Sequence, residues 1–580
     1  MKTQSILVSL FLVAGVGCGD NNGSKGGNHD MAMDNGGGDG GDTVDMTPPG
    51  DLADTTATPA PTATHVSATG PTAGLVTLGA DLSAYLLNPS TAATPVTGEL
   101  HVVTKDGVDK KIDTAVPLAG YSLGPDGKSI FYTKVAGQSA ALFMADPTAA
   151  TITPKTIFAT GVQSTQMPFA GFYTPSGNYF LAGTLPANVA ATPDLHVIDA
   201  HTGTDVYDRL NGGFAYLELI LPDDTMIFQD TAGGTSTGTP PVQTLYWVSL
   251  KNAAAAPAAT ITTRTSQINL TGDNKTLVIL KTNGDLLTWD TAAKTGTGTK
   301  IASGVAAMTM GFEPTGPIAY IGADKSVHLL GTDGTAMLDL AGTTATADVF
   351  GPIAIAPDDG DVYYFRNVDT QNNRGSLVRV QAKSGAAPAA VGDNISIRDL
   401  QVTDSAIVFL QNVDDKGQFG DAAKAARDGS GITALGMKAN VGGLRVVNPG
   451  PDTWFAMQLT AAVDDSANNS TIDGSPAMYG ALAWYDYTGG AAVALDAKVH
   501  AGTFSFALDD GRTAAFVSGA TFNATAGNYV GALKRIAARA PSMTVDGMLS
   551  GVSELGPIVG RALFVNAPTA TTAGVYYVKY

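Results

Sequence analysis

Hydrophobic residues along this chain fall into short runs that recur about every 48 residues. Each repeat reads as a hydrophobic strand, a turn of Pro, Asp or Gly, a second strand, and a third strand ending near Asp or Gly. The clearest repeat spans Tyr121 to Asp146, where Pro125-Asp126-Gly127-Lys128 separates two strands. The runs are rich in β-branched and aromatic residues, as in Ile130-Phe131-Tyr132, which predicts strands that are packed on both faces.

The turns between first and second strands mark the repeats. Pro presets the backbone for the first corner of such a turn, and Asp or Gly tolerates the next position. One residue from each turn gives eleven units: Asp81, Asp126, Ser176, Asp223, Gly272, Thr315, Asp358, Asp404, Pro451, Asp509 and Val559.

These repeats predict an all-β fold, a β-propeller of about eleven four-stranded units. The only convincing helical window is Gly420 to Arg427. Eleven units exceed the four to eight blades usual for one propeller, which favours two packed rings, 63–345 and 346–580, over the alternative of one large ring. The last run, from Val575, lacks a fourth strand, and Thr64 to Ala68 can supply it and close a ring.

The repeat resembles that of the TolB-like and WD40-like bacterial propellers, whose units carry a Pro-Asp-Gly turn between two strands. The resemblance covers residues 63 to 580. Its fullest match is Gly124-Pro125-Asp126-Gly127-Lys128-Ser129-Ile130, and a Trp-Asp pair occurs at Trp289-Asp290.

The N-terminus reads as an export signal over residues 1–17. Lys2 precedes a mostly apolar run from Ile6 to Gly17, which is too short to span a bilayer. Cys18 follows, and as the only cysteine it excludes an intramolecular disulfide. It resembles the lipidated cysteine of bacterial lipoproteins, although Gly15 replaces the usual aliphatic residue. The resemblance implies an exported protein anchored by lipid to the cell envelope, at the periplasmic or surface face of the outer membrane. The alternative is a secreted protein cleaved elsewhere.

Residues 18–62 predict a disordered tether. From Gly19 to Ala63 there is no Phe, Tyr, Trp or Ile, so this stretch cannot bury enough apolar area to offset the entropy lost on ordering. A flexible coil of this length reaches roughly 35 to 40 Å. The formal net charge of the chain is −19, which disfavours nucleic acid and anionic head groups as ligands and leaves the lipid anchor as the only predicted membrane contact.

No motif in the sequence predicts a catalytic, cofactor or zinc site. Gly36-x-Gly38-x-x-Gly41 has dinucleotide-fingerprint spacing but lies in the tether, without the strand and helix that the chemistry needs. The seven histidines are scattered, and only His196 and His201 are near neighbours. We expect Asp199, Asp290 and Asp486, each at the end of a third strand, to cap their own turns.

Three consecutive late units carry long polar connections between second and third strands, beginning at Asn367, Asn412 and Thr460. Such connections emerge on one face of a propeller, and loops on a rigid scaffold commonly carry recognition. Their polar side chains are the candidate binding residues, and the carboxylates among them would suit calcium; the set is Asp369, Asn372, Asp414, Asp415, Asp464, Asp465 and Asp473.

The sequence therefore predicts a binding scaffold for an envelope protein, a peptide or a polysaccharide. It does not predict an oligomeric state. Two alternatives remain open. One is a propeller enzyme, a hydrolase or lyase with residues converging at a central channel, and the other is a structural surface-coat protein.

Overall fold

The protein is described by a computed structural model. The described residues are 62–79, 81–90, 95–118, 120–136, 139–162, 171–184, 194–209, 215–230, 244–252, 258–261, 265–271, 275–292, 298–308, 318–323, 326–330, 337–342, 353–356, 360–383, 385–403, 406–447, 454–458, 463–464, 478–486, 493–506, 513–523, 528–537, 544–559 and 562–579. Residues 63–579 form one compact unit, and a second unit comprises residues 1–62 and 580. The predicted signal peptide, Cys18 and the tether, apart from Thr62, lie outside the described residues.

The described strands form antiparallel sheets, five of four strands and three of eight. We divide each eight-stranded sheet into two four-stranded groups and number all the groups as blades 1 to 11. The first strand, β1 (Thr62–His65), belongs to blade 11. Blade 1 has β2 (Thr72–Leu78), β3 (Leu82–Ser90), β4 (Thr97–Thr104) and β5 (Asp109–Pro117), and blade 2 has β6 (Tyr121–Leu123), β7 (Ile130–Ala136), β8 (Ser139–Ala145) and β9 (Lys155–Val162). Blade 3 has β10 (Phe172–Tyr173), β11 (Tyr179–Thr184), β12 (Asp194–Asp199) and β13 (Asp205–Arg209), and blade 4 has β14 (Ala215–Ile220), β15 (Thr225–Asp230), β16 (Thr244–Ser249) and β17 (Ala258–Ile261).

Blades 5 to 8 continue the same order. Blade 5 has β18 (Thr265–Leu270), β19 (Thr276–Lys281), β20 (Leu286–Asp290) and β21 (Thr299–Ala302), and blade 6 has β22 (Ala307–Met308), β23 (Ile318–Ile321), β24 (Ser326–Leu330) and β25 (Met337–Gly342). Blade 7 has β26 (Ile353–Ile355), β27 (Val362–Asp369), β28 (Arg374–Val380) and β29 (Ala389–Ser396), and blade 8 has β30 (Gln401–Val402), β31 (Ala406–Gln411), β32 (Phe419–Ala426) and β33 (Thr433–Asn440).

Blades 9 and 10 share one long strand. Blade 9 has β34 (Leu444–Val447), β35 (Trp454–Gln458), β37 (Met478–Asp486) and the first half of β38 (Val493–Phe506), with the short β36 (Val463–Asp464) beside β37. Blade 10 has the second half of β38, then β39 (Thr513–Asn523), β40 (Asn528–Ala537) and β41 (Thr544–Val552). Blade 11 has β42 (Glu554–Leu555), β43 (Ala562–Ala567), β44 (Gly574–Lys579) and β1.

The predicted first-to-second turns are confirmed where the structure describes them. At Pro125-Asp126-Gly127 the Gly127 amide donates to the Gly124 carbonyl at 2.8 Å, and at Pro175-Ser176-Gly177 the Gly177 amide donates to the Thr174 carbonyl at 2.8 Å. Gly127 and Gly177 have φ of +70° and +74°, which is why glycine suits these positions.

Apolar side chains from consecutive blades interlock to form the core. One such cluster joins blade 1 to blade 2 through Leu86, Val102, Ile130 and Tyr132. Similar clusters join most of the later neighbours in turn. Burial between adjacent sheets is what holds a propeller together.

The boundary drawn from sequence at residues 345 and 346 falls between blades 6 and 7. A cluster of the same kind crosses it, in which Ile321 and Val327 of blade 6 pack against Val362, Tyr364 and Val378 of blade 7. The contacts between these two blades therefore resemble those between the other neighbours.

The predicted closing strand is confirmed. β1 pairs with β44 in blade 11, and the Val66 amide donates to the Val575 carbonyl at 3.0 Å. Blade 11 in turn packs on blade 1 through Phe564 and Val575 against Tyr85 and other apolar residues. The two ends of the described body thus meet in one sheet.

The predicted helix at Gly420–Arg427 is wrong, because most of this window is strand β32. Its Ala422, Ala423 and Ala425 are buried. Ala423 and Ala425 pack with Phe365 and Phe409 in the core between blades 7 and 8. Tertiary packing against these neighbours therefore overrides the helical propensity of alanine.

The helical structure within the described ranges is the 3₁₀ turn Leu250–Asn252. No helix in the part of the chain that the structure describes is long and apolar enough to cross a bilayer.

Candidate functional site

The second-to-third connections of blades 7 and 8 are shorter than the sequence predicts. In blade 7 the strands reach Asp369 and resume at Arg374, so the connection is 370–373. In blade 8 the connection is 412–418, and the residues that follow form β32. The prediction of long insertions is wrong at these two places, because their polar residues pair across strands.

The two connections lie against each other, and we call them together the blade 7–8 rim. Arg374 Nη1 donates to the Val413 carbonyl at 3.4 Å and to Asp415 Oδ1 at 3.2 Å, and Asn373 Nδ2 donates to the Gly417 carbonyl at 3.4 Å. A Cβ on Gly417 would overlap the Asn372 backbone. The rim therefore presents polar groups that are held in place before any ligand arrives.

Asp369 carries a fixed negative charge on this rim. Its Oδ1 accepts the amides of Gln371 and Asn372, each at 3.1 Å, and its Oδ2 accepts Asn372 Nδ2 at 2.7 Å. The hydrogen bond from the Asn372 side chain is the main reason that the pKa of Asp369 lies below its usual range. Arg374 Nε lies 3.6 Å from Asp369 Oδ2, so the two opposite charges are adjacent.

The other two candidate carboxylates of the rim have different surroundings. Asp414 Oδ1 accepts the amides of Lys416 at 3.1 Å and Gln418 at 2.9 Å, which caps the turn. The side chain of Asp415 is 96% exposed and contacts Arg374. Asp464 is described only as a backbone position in β36, and Asp465 and Asp473 lie outside the described residues.

An open cavity of about 270 Å³ lies beside the rim on blade 7. It forms where β27 and β28 bulge, with register shifts between Arg366 and Asp369 and between Gly375 and Leu377. Its walls come from the second, third and fourth strands of the blade, and the lining residues are Asn367, Asp369, Arg374, Gly375, Ser376 and Asn394.

Among the lining residues, Asn394 has a buried polar atom without a hydrogen-bond partner. Its φ is +54°, and its Nδ2 donates to the Val413 carbonyl at 3.2 Å. Its Oδ1 is buried without a hydrogen-bond partner. Sequence reasoning placed Asn367 and Arg374 in the blade 7 connection without naming either as a candidate, and it missed Asn394. Only the run Asp393-Asn394 inside an otherwise regular strand could have indicated an irregularity there.

Of the carboxylates predicted to suit calcium, the described residues place Asp369, Asp414 and Asp415 at the rim. No group of three or more His, Cys, Asp or Glu side chains that could hold a metal occurs among the described residues. At the rim the guanidinium of Arg374 lies between Asp369 and Asp415.

Two buried histidines form a pattern that the sequence analysis treated as scattered. His196 Nδ1 lies 2.7 Å from Asp205 Oδ2 and its Nε2 lies 2.8 Å from Thr184 Oγ1. His101 Nδ1 lies 3.0 Å from Asp109 Oδ1. In both blades the His is on the third strand and the Asp begins the fourth.

The arrangement of Thr184, His196 and Asp205 has the order of a nucleophilic triad, but its surroundings are those of a packing element. His196 is only 6% exposed, and its ring lies 4.6 Å from that of Phe158 in blade 2. In blade 1 the corresponding Asp109 takes its second hydrogen bond from Tyr85 at 2.6 Å. Tyr85 bonds the Asp of its pair, whereas Thr184 bonds the His. The His–Asp pair therefore recurs without the Thr–His bond, which indicates a structural role that joins the third and fourth strands of a blade.

Comparison with known proteins gives similarities of fold. No protein-family model matches the chain, and no curated protein matches it in sequence. A eukaryotic initiation factor structure is 10% identical with a TM-score of 0.38, covering 72% of this chain and 97% of that one. The C-terminal WD40 domain of Sif2 is 11% identical with a TM-score of 0.28, covering 64% and 97%.

The β-propeller domain of the Trilobed protease from Pyrococcus furiosus, described as having an open velcro topology, is 10% identical with a TM-score of 0.27, covering 63% of this chain and 97% of that one. At these identities and TM-scores the likeness is one of general architecture and carries no information on function. The chain is a β-propeller protein by its own sheet topology.

Proposed function

We propose that this protein is a binding scaffold of the bacterial cell envelope and that the blade 7–8 rim is its contact surface. The observation that supports this most is the lock between the two connections, in which Arg374 joins Val413 and Asp415 across the blade boundary. A surface ordered in advance loses little entropy on binding. The partner class is an exported protein, a peptide or a polysaccharide, and the negative net charge argues against nucleic acid.

We further propose that the protein is exported and held at the outer membrane by a lipid on Cys18. The support is the N-terminal pattern of Lys2, an apolar run and a single cysteine. Metabolic labelling with a radioactive fatty acid tests this: the wild-type chain is expected to take up label and the Cys18→Ser variant is not. Label that persists in the variant, or is absent from both, would rule out the anchor.

A photo-crosslinking amino acid at Gln371 tests the contact surface. Gln371 is exposed at the tip of the blade 7 connection, and Asn283 is exposed at the tip of the corresponding connection of blade 5. We expect one reproducible crosslinked species from position 371 in intact cells and none from position 283.

The double variant Arg374→Ala and Asp415→Ala removes the bonds that join the two connections of the rim. It tests whether the crosslink at 371 depends on the ordered rim. It is expected to reduce the crosslink at 371 by about tenfold, while the melting temperature falls by only a few degrees, because Arg374 is partly exposed and Asp415 almost fully exposed. Equal crosslinks at 371 and 283, or none at either, would favour a structural coat without a specific ligand.

A further inference from the structure

We propose that residues 66–71 form a clasp that passes a pull on the N-terminus into blades 11 and 1 together, so that these two blades stay joined under load. The segment follows β1 and leads into β2, so it is the part of the chain that crosses between the two blades. The source of the load rests on the proposed function, because a lipid on Cys18 would hold the chain at this end.

The hydrogen bonds of the clasp alternate between the two blades. In chain order they join the Val66 amide to the Val575 carbonyl at 3.0 Å, the Ala68 amide to Asp109 Oδ2, the Gly70 amide to the Ala573 carbonyl at 3.0 Å, and the Asn88 amide to the Pro71 carbonyl at 2.8 Å. The first and third partners belong to blade 11, and the second and fourth belong to blade 1. A pull that removes the clasp therefore works against both blades and not against one strand edge.

The side chain of Val66 anchors the clasp in the core between the blades. It is 4% exposed and packs with Tyr85 and Val103 of blade 1 and with Phe564 and Val575 of blade 11. Lifting it would return this apolar surface to water. The first three residues of β1 are exposed, so we expect β1 to peel away easily and the clasp to resist.

Asp109 spreads the load over blade 1. Besides the Ala68 amide, its carboxylate accepts a hydrogen bond from the Tyr85 hydroxyl at 2.6 Å and lies 3.0 Å from His101 Nδ1. Hydrogen bonds to a carboxylate are stronger than those between neutral groups. The clasp is thereby tied to the second, third and fourth strands of the blade.

Gly574 lets the clasp lie close to blade 11. The Val575 amide donates to Ser67 Oγ at 2.7 Å, which brings the Ser67 side chain against the start of β44. A Cβ on Gly574 would overlap Ser67 Oγ and His65 Nε2. A larger residue at 574 must therefore push the clasp away from the strand that it holds.

The experiment is single-molecule pulling on the full chain, made by cell-free synthesis so that Cys18, its only cysteine, keeps a free thiol for one handle. The second handle is attached at Asn283→Cys, at an exposed tip of blade 5. At constant force we expect a short first extension of at most about 14 Å as the four residues of β1 peel away. A pause follows, and release of the six clasp residues ends it with a further step of about 20 Å or more.

Two variants weaken the clasp, and a third is the matched control. Val66→Ala removes the buried anchor and Gly574→Ala displaces the segment, so each is expected to shorten the pause about tenfold. Val408 is also fully buried, in the core between blades 8 and 9, outside the path from the N-terminus to blade 5. Val408→Ala should lower the melting temperature about as much as Val66→Ala does but leave the pause unchanged.

The outcomes separate this inference from the proposed function. If the wild-type chain shows no pause, if Val66→Ala leaves the pause as long, or if Val408→Ala shortens it equally, the clasp is wrong. Failure of the fatty-acid labelling is a different result: the pause would persist in the pulled chain, and only the load-bearing role would be overturned, because no anchor would pull on the clasp.

Discussion

At the scale of the residue, an Asn in the left-handed backbone conformation recurs near the end of the second strand. Asn88, Asn367 and Asn412 all have positive φ there, at +50°, +52° and +54°. Asn tolerates this left-handed region better than other non-glycine residues because its side chain bonds locally. In blades 1 and 7 the residue lies within a register shift of the second strand, and in blade 7 it also lines the cavity.

Asn412 allows the backbone contribution to be measured. Both Asn412→Ala and Asn412→Gly remove the bond from its Nδ2 to Asp421 Oδ2 at 3.0 Å. Only alanine keeps a Cβ that opposes φ of +54°. We therefore expect the alanine variant to be about 1 kcal/mol less stable than the glycine variant in urea unfolding. Equal stabilities would mean that the turn rearranges.

Gly531 lets strands β39 and β40 approach each other closely. A Cβ there would overlap the Ser518 carbonyl oxygen, whereas at Gly183 of β11 nothing lies within 4 Å. We expect Gly531→Ala to lower the melting temperature by several degrees, in line with a cost of about 1–3 kcal/mol for overpacking. Gly183→Ala is the control and should change it little. Similar melting temperatures for the two variants would contradict this account.

At the scale of the element, buried polar pairs join strands within the blades. His101 and His196 occupy the third strands of blades 1 and 3 and pair with Asp109 and Asp205 on the fourth. Each sits in a short Leu-His-Val run. The run is visible in the sequence, but its partner on the next strand is set by register, which no local pattern specifies.

Asp109 makes blade 1 sensitive to acid. Burial alone would raise its pKa, but hydrogen bonds from His101, Tyr85 and the Ala68 amide outweigh burial and hold the pKa below its usual value. Its contribution to the free energy of unfolding is therefore complete above the unfolded pKa of about 4 and is lost as pH falls through the lower folded value.

The variant Asp109→Asn tests this linkage. At neutral pH we expect it to lower the free energy of unfolding by about 1–3 kcal/mol, because three donors lose a charged acceptor. The gap from wild type should narrow as pH falls below about 4. Chemical unfolding at a series of pH values measures this, with the exposed Asp106→Asn as control. A gap independent of pH would contradict it.

At the scale of the whole molecule, most neighbouring blades share apolar cores along the chain, and blade 11 packs back on blade 1. Residues 63–579 form one compact unit. From these contacts we expect one large ring rather than two packed rings. In a single ring every blade buries both faces and no blade offers a free one.

Separate expression of residues 63–345 and 346–580 tests the number of rings. In one ring, each half would expose two apolar faces, including those of Ile321, Tyr364 and Phe564. We expect neither half alone to unfold cooperatively in thermal melts followed by circular dichroism. Co-expressed halves should co-purify. Two halves that each melt cooperatively and do not associate would establish two rings.

The sequence by itself determined the strands, the Pro/Asp/Gly turns between first and second strands, and the N-terminal strand that completes the last blade. Those features depend on local preferences: alternation of side chains, preset φ at proline, and β-branched packing. The tertiary structure alone decided that the alanine-rich Gly420–Arg427 window is mostly strand, that two blade connections lock through Arg374, and that Asn394 borders a cavity. Each of these depends on which distant residues come to lie next to it, and that is set by packing and register across blades rather than by neighbours along the chain.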